Sequence, residues 1–286
     1  MNKYHMRFFV IVLWLIASIV SVCSAEIQVI SKIPSSSSSH QLGVIFVKKL
    51  NTIQNKHTFT ISSLTGANGL VPDMRVLDLA RSGKSAILFG PLSTFTIGRF
   101  ENENAFDRDK DYLFLTSVTS TYFSLISTVD SIDELLLRMG NKGYYGISFN
   151  GGMPNYLIQA FLKHQNLKSE AIKYPGIAEI SRALLVGEID FTVVSHTNIL
   201  TFKELNNSKT NLANIKGFTD TSLTIFAIPK ELSELKTDIQ PYFDKVCRDQ
   251  EILEYVRKME YSSSCLRDKE LYDVIDGTLK NIGTYR

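Results

Sequence analysis

Residues 144–190 read YYGISFNGGMPNYLIQAFLKHQNLKSEAIKYPGIAEISRALLVGEID. Tyr144–Ser148 has the character of a strand. Asn150-Gly151-Gly152-Met153-Pro154 then turns into a helix over Pro154–His164. Tyr174-Pro175-Gly176 opens a second helix, Ile177–Val186, which Gly187 stops, and Ile189–Val194 reads as a buried strand. Glycines after a strand and a proline at a helix start leave a row of backbone N–H groups without intrahelical partners. Such a helix end attracts an anion without needing a basic side chain. The stretch is a binding signature and contains no catalyst.

The same alternation extends outward. Ile27–Ile33 reads as a strand, Leu42–Leu50 as a helix and Thr58–Ser63 as a strand. Gly66-Ala67-Asn68-Gly69 leads into a helix through Leu79, and Ser85–Phe89 is a short strand ending at Gly90-Pro91. Ser131 and Glu134 stand at capping-box spacing before a helix that ends near Gly140. Lys230 to Arg286 reads as mostly helical. Strands followed by crossover helices predict an α/β fold with a largely parallel sheet. There is no internal sequence repeat.

The 286 residues suffice for one large domain or two lobes. The first 25 stand apart. Lys3 and Arg7 precede the apolar run Phe8–Val22, which is followed by Cys23-Ser24-Ala25, the pattern of a secretory signal with cleavage after Ala25. The run falls short of the roughly 20 residues a spanning helix needs. Removing Lys3 and Arg7 from the 31 basic residues leaves 29, matching the 29 acids. A mature chain of zero formal charge lacks the basic surplus of a nucleic-acid binder. Cys247 and Cys265 remain after cleavage, in a compartment where a disulfide would persist, but sequence alone does not bring their Cα atoms together.

Catalytic and metal chemistries find no support. His40 beside the serine run has no orienting acid at recognisable spacing, and there is no G-x-S-x-G elbow. The five histidines form no H-x-x-H or H-E-x-x-H pair. Gly66–Gly69 lacks the lysine and threonine of a P-loop. The reading is therefore of a non-enzyme with no cofactor.

At these residues the chain resembles the extracytoplasmic solute-binding receptors of tripartite tricarboxylate transporters, the Bordetella uptake gene type. Their segment YG-x-x-GNGSSPHLAGELF is similar to Tyr145-Gly146 through Phe161. Their YKGSAPALTDLLGGQVD is similar to Tyr174-Pro175-Gly176 through Asp190. Their GAGG and YDPLKDF look like Gly66–Gly69 and Phe106–Tyr112. The resemblance implies a two-lobed periplasmic binding protein of type II, with a hinge between the lobes. The expected layout is a signal over 1–25, lobe one over 26–119 and 222–286, and lobe two over 120–221.

The resemblance also implies a ligand held between the lobes by three loops. The first loop offers Ser38 and Ser39, where hydroxyls could equally serve as helix caps. The second offers Ser93 and Thr94, again as contacts or caps. The third offers Asn150, Gly151, Gly152 and Asn155. Gly152 and Met153 stand where relatives carry serines, so backbone donors are kept and hydroxyls lost. Tyr174 is a candidate contact or a packing residue. Asp190 is a candidate contact or a structural acceptor, and Thr197 is a weaker candidate. The expected ligand is a small organic anion, and the expected partners are the membrane subunits of a secondary transporter. The protein is expected to be a periplasmic monomer. A solute sensor feeding a membrane kinase and a receptor of an ABC-type system are the competing readings.

Overall fold

The computed structural model describes residues 25–96, 108–140, 142–148, 153–195, 198–199, 202, 208–211, 221–259 and 261–284. The signal segment 1–24 lies outside them. Ile27, Val29 and Ile30 are buried in β1 (Ala25–Ser31), because that strand is covered on both faces. It pairs in parallel with β2 (His57–Ser63) on one side and β3 (Ser85–Pro91) on the other. Helix α1 (Ser38–Ile53) carries the chain from β1 to β2, and α2 (Leu70–Arg81) from β2 to β3. A long strand, β4 (Tyr112–Ser127), follows.

The second set repeats the first. Helix α3 (Ile132–Met139) precedes β5 (Gly143–Ile147), and α4 (Met153–His164) leads to β6 (Ser169–Lys173). Helix α5 (Ile177–Leu185) leads to β7 (Phe191–Ser195), and β8 (Ser208–Asn211) and β9 (Thr221–Pro229) come next. The chain closes with α6 (Ser233–Cys247), α7 (Gln250–Lys258), β10 (Ser262–Ser263) and α8 (Asp268–Thr284).

The strand order is β2-β1-β3-β9-β4-β7-β5-β6, with β8 and β10 pairing to β4. β4 changes partners along its length. Tyr112–Tyr122 runs antiparallel to β9, whereas Phe123–Ser127 runs antiparallel to β7, with Ser124–Ser127 also paired to β8. The order around β1 is therefore β2-β1-β3-β9-β4, and around β5 it is β6-β5-β7-β4-β8. In both sets a central antiparallel strand arrives from the other half of the chain. The repeat is one of topology, which explains why no sequence repeat marks it. It also corrects the expectation of a largely parallel sheet. The crossing strand and the returning strand must run against their neighbours, so antiparallel pairs fill the centre.

Two register shifts in the β4–β9 pairing skip Leu115 and Val118, which are buried against α1 and α6. Bulges of this kind bend a strand and re-aim its side chains. Helices cover both faces of each set. Phe46 of α1 and Phe243 of α6 pack on Phe226, which stacks on Phe89 at 4.4 Å between centroids. On the opposite face Val76 of α2 and Ile275 of α8 cover Leu88 and Phe114. In the second set Phe161 of α4 meets Phe191, while Ile180 and Leu184 of α5 cover Ile126 and Val194. Each fully buried Phe or Ile contributes about 1.5–3 kcal/mol relative to exposure.

Ser131 is the N-cap of α3 and accepts from Glu134 N at 3.1 Å, while Glu134 Oε2 accepts from Asp130 N at 3.1 Å. The capping box predicted from spacing is present, with the return bond one residue earlier than in the usual motif. Cys247 and Cys265 form a disulfide, their Cα atoms 5.9 Å apart, which joins α6 to the segment preceding α8. Among the described residues no helix is long and apolar enough to cross a membrane.

Candidate functional site

A pocket of about 180 Å³ opens at the carboxyl ends of β5 and β7, beside the first turns of α4 and α5. Open α/β sheets place ligands at this end of their strands. Its apolar wall is Phe123, Ile147, Ile177, Ile180, Val193 and Val194, and its polar wall is Ser148, Asn155, Thr192, Ser195 and Asn198. No ionisable side chain is among these described lining residues. Two polar groups are already engaged. Thr192 Oγ1 donates to Gly146 O at 2.9 Å, and Asn198 Nδ2 donates to Ser195 Oγ at 3.1 Å. Ser148 and Asn155 bring a hydroxyl and an amide to the side where α4 begins, and Pro154 completes that wall.

Gly146 sets the depth of the pocket. A Cβ there would lie 2.6 Å from Ile189 Cδ1 and 3.1 Å from Ile180 Cγ2. The strand thus approaches α5 as closely as a missing side chain allows.

The two helix starts differ in charge. The first turn of α4 carries no acid, whereas that of α5 carries Glu179. A Cβ added at Gly176, the N-cap of α5, would lie 3.1 Å from Glu179 Oε2, so this carboxylate folds back over its own helix end. A carboxylate in that place satisfies the local positive potential of the helix.

Among the described residues, Asn155 alone of the expected contacts lines the pocket. Asn150, Gly151, Gly152 and Thr197 lie outside the described residues. Tyr174 is held through its backbone, N to Ile147 O at 2.9 Å. Burial first, then the Glu188 carboxylate, push its hydroxyl pKa up to about 12. Asp190 sits at the amino end of β7, away from the pocket. Its Oδ2 accepts from Tyr144 N at 2.8 Å, and its Oδ1 is 3.4 Å from Arg138 Nε. These contacts join α3 to the start of β5.

In the β1–β3 half, the cap of α1 is Ser37, which accepts from Ser39 N at 3.2 Å. Ser38 and Ser39 occupy the first turn. Ser39 Oγ is 2.7 Å from the Tyr261 hydroxyl, and Ser38 O accepts from the Tyr255 hydroxyl at 3.3 Å. Thr94 Oγ1 donates to Pro91 O at 2.7 Å, and Ser93 begins a short helical turn beside it. The Thr94 hydroxyl closes a local turn, whereas that of Ser39 ties α1 to the distant Tyr261. His40 is buried, and desolvation lowers its pKa.

Reading the sequence missed a buried ion pair at the end of β1. Lys32 Nζ is 2.7 Å from Asp73 Oδ2, both side chains are sealed from solvent, and Nζ lies 5.0 Å from the Phe95 ring centroid. Among the described residues no cluster of His, Cys, Asp and Glu is arranged to hold a metal.

Solved structures share this architecture over nearly the whole chain. A TctC solute-binding protein from Polaromonas matches at a TM-score of 0.71 and 14% identity, covering 92% of this chain and 97% of that one. The fold is that of a solute-binding protein. A Rhodopseudomonas palustris protein solved with adipate matches at a TM-score of 0.70 and 12% identity, over 92% of this chain and 96% of that one. MatC from the same organism, solved with bound malate, matches at 0.70 and 12%, over 91% and 97%. No protein-family profile and no curated protein sequence matches the chain. The two-lobed solute-binding fold, α/β with a mixed sheet, is thus shared where sequence identity has fallen to about one residue in seven.

Proposed function

We propose that this chain is an extracytoplasmic receptor that captures a small organic carboxylate in the cleft between its lobes. The observation that carries the reading is the uncharged pocket at the ends of β5 and β7, beside a helix start free of acids. It occurs in a fold whose solved examples include adipate- and malate-bound proteins. Lobe one comprises 26–119 and 222–286, and lobe two 120–221. The partner change of β4 at Tyr122 and Phe123 and the start of β9 at Thr221 lie close to those bounds.

A carboxylate needs donors when it leaves water, and unpaired charge in an apolar site costs several kcal/mol. Here the donors are neutral: Ser148, Asn155 and the helix start of α4. The candidate contacts Asn150, Gly151 and Gly152 precede it in the sequence. Closure of the lobes then traps the solute. Delivery to the membrane subunits of a secondary transporter would follow, the closed form being the one recognised. Residues 1–25 act as the export signal, and the Cys247–Cys265 disulfide suits an oxidising compartment.

Thermal unfolding of the mature protein against di- and tricarboxylates, monocarboxylates, amino acids and sugars tests this reading. A ligand at about 100 times its Kd stabilises by about 2.7 kcal/mol. A saturable rise in Tm with at least one carboxylate is expected. A rise with sugars or cations alone would refute it.

A further inference from the structure

We infer that the solute is a monocarboxylate with an apolar body, and that Glu179 and Ile177 exclude a second carboxylate from the α5 side of the pocket. The inference rests on the carboxylate reading above and narrows it.

The argument starts from the asymmetry between the two helix starts. On the α4 side, Ser148 and Asn155 line the wall and the first helical turn holds no acid. On the α5 side, Ile177 and Ile180 line the wall, and the Glu179 carboxylate lies over the N-cap Gly176. A ligand carboxylate placed there would meet two aliphatic side chains, at a helix end whose positive potential is already satisfied by Glu179, itself outside the lining and 4.0 Å from Arg182 Nη1. Lost hydration and an already satisfied helix end both oppose it. Phe123 and Val193 extend the apolar surface across the floor. Among the described lining residues, the donors lie on the α4 side and the aliphatic wall on the α5 side, so the single carboxylate points toward α4 and the hydrocarbon toward α5.

Size agrees with this. An apolar cavity of about 150 Å³ accepts a benzene ring, so a pocket of about 180 Å³ holds a six-carbon ring or chain. Hexanoate and adipate have the same six-carbon backbone and differ by one terminal carboxylate, so they isolate the predicted effect.

The experiment measures Kd for hexanoate, benzoate and adipate with the mature protein and with two variants. The wild type should bind hexanoate or benzoate at least about tenfold more tightly than adipate, the ratio set by one unpaired charge. Glu179 is partly exposed, so Glu179→Gln should fold normally, and removing its charge should tighten adipate by about fivefold with little change for hexanoate. Ile177→Lys should favour adipate further and weaken hexanoate. Equal or tighter binding of adipate by the wild type would overturn the inference. So would an adipate-to-hexanoate ratio that neither variant changes. Both results leave the carboxylate reading intact, whereas absence of binding by every carboxylate would remove that reading and this one together.

Discussion

Lys32 Nζ and Asp73 Oδ2 lie 2.7 Å apart, out of contact with water, at the point where β1 ends. Two glycines make room for the lysine. A Cβ at Gly69 would come 2.9 Å from Lys32 Cε, and one at Gly90 would come 3.0 Å from Lys32 Cδ. Breaking a buried pair strands a charge, whereas replacing both partners with apolar groups is often neutral or stabilising. Lys32→Met should therefore cost about 3–5 kcal/mol at neutral pH, and the Lys32→Met/Asp73→Leu double variant much less. Urea denaturation of the three proteins would check this, and equal losses in the single and double variants would contradict it.

The same pair predicts a pH dependence. Desolvation raises the Asp73 pKa to about 6, against the opposing pull of Lys32. A folded-state pKa above the unfolded one means that the native state holds the proton more tightly. The contribution of Asp73 is then present below about pH 4 and is lost as pH rises to about 6. The stability of the wild type relative to the double variant should fall across that window and level off above it. A flat or rising difference between pH 4 and 6 would count against the assignment.

Gly146 should tolerate no side chain. Alanine there would press on Ile180 and Ile189 at 3.1 and 2.6 Å, and overpacking of this kind costs about 1–3 kcal/mol. Because Ile180 lines the pocket, Gly146→Ala should also weaken carboxylate binding. Calorimetric unfolding and a ligand titration of the variant separate the two effects. Unchanged affinity would show that Ile180 does not shape the site.

The disulfide closes a loop with a sequence separation of 18. Loop-closure entropy for that length gives about 3 kcal/mol. The Cys247→Ser/Cys265→Ser variant should unfold at correspondingly lower denaturant. The loss should vanish when wild type and variant are compared in reductant.

Much of this fold was legible in residues 144–190, where strands and helices follow local rules. The capping box at Ser131 and Glu134 was likewise visible from spacing alone. The two strands that bridge the halves were not. β4 is buried along most of its 16 residues and has no simple alternation, and β9 is read correctly only once its partners are known. The site divided in the same way. Asn155, a candidate from the family resemblance, lines the pocket. Phe123, Ile177 and Ile180 were passed over because apolar residues at helix and strand positions look like core. Lys32 and Asp73 are 41 residues apart, and nothing local links them. Gly69 and Gly90 were read as helix-start and strand-end glycines, whereas the structure uses both to seat the lysine.

The central claim is that a carboxylate is what the cleft recognises. The most direct test is an isothermal titration of the mature protein with benzoate, hexanoate and adipate beside benzamide and hexanamide. The account predicts saturable binding, one ligand per chain, for an acid and at least about a hundredfold weaker binding for its amide, the discrimination expected of a site built around a charged group. Equal affinity for acid and amide, or binding of neither across the set, would contradict it.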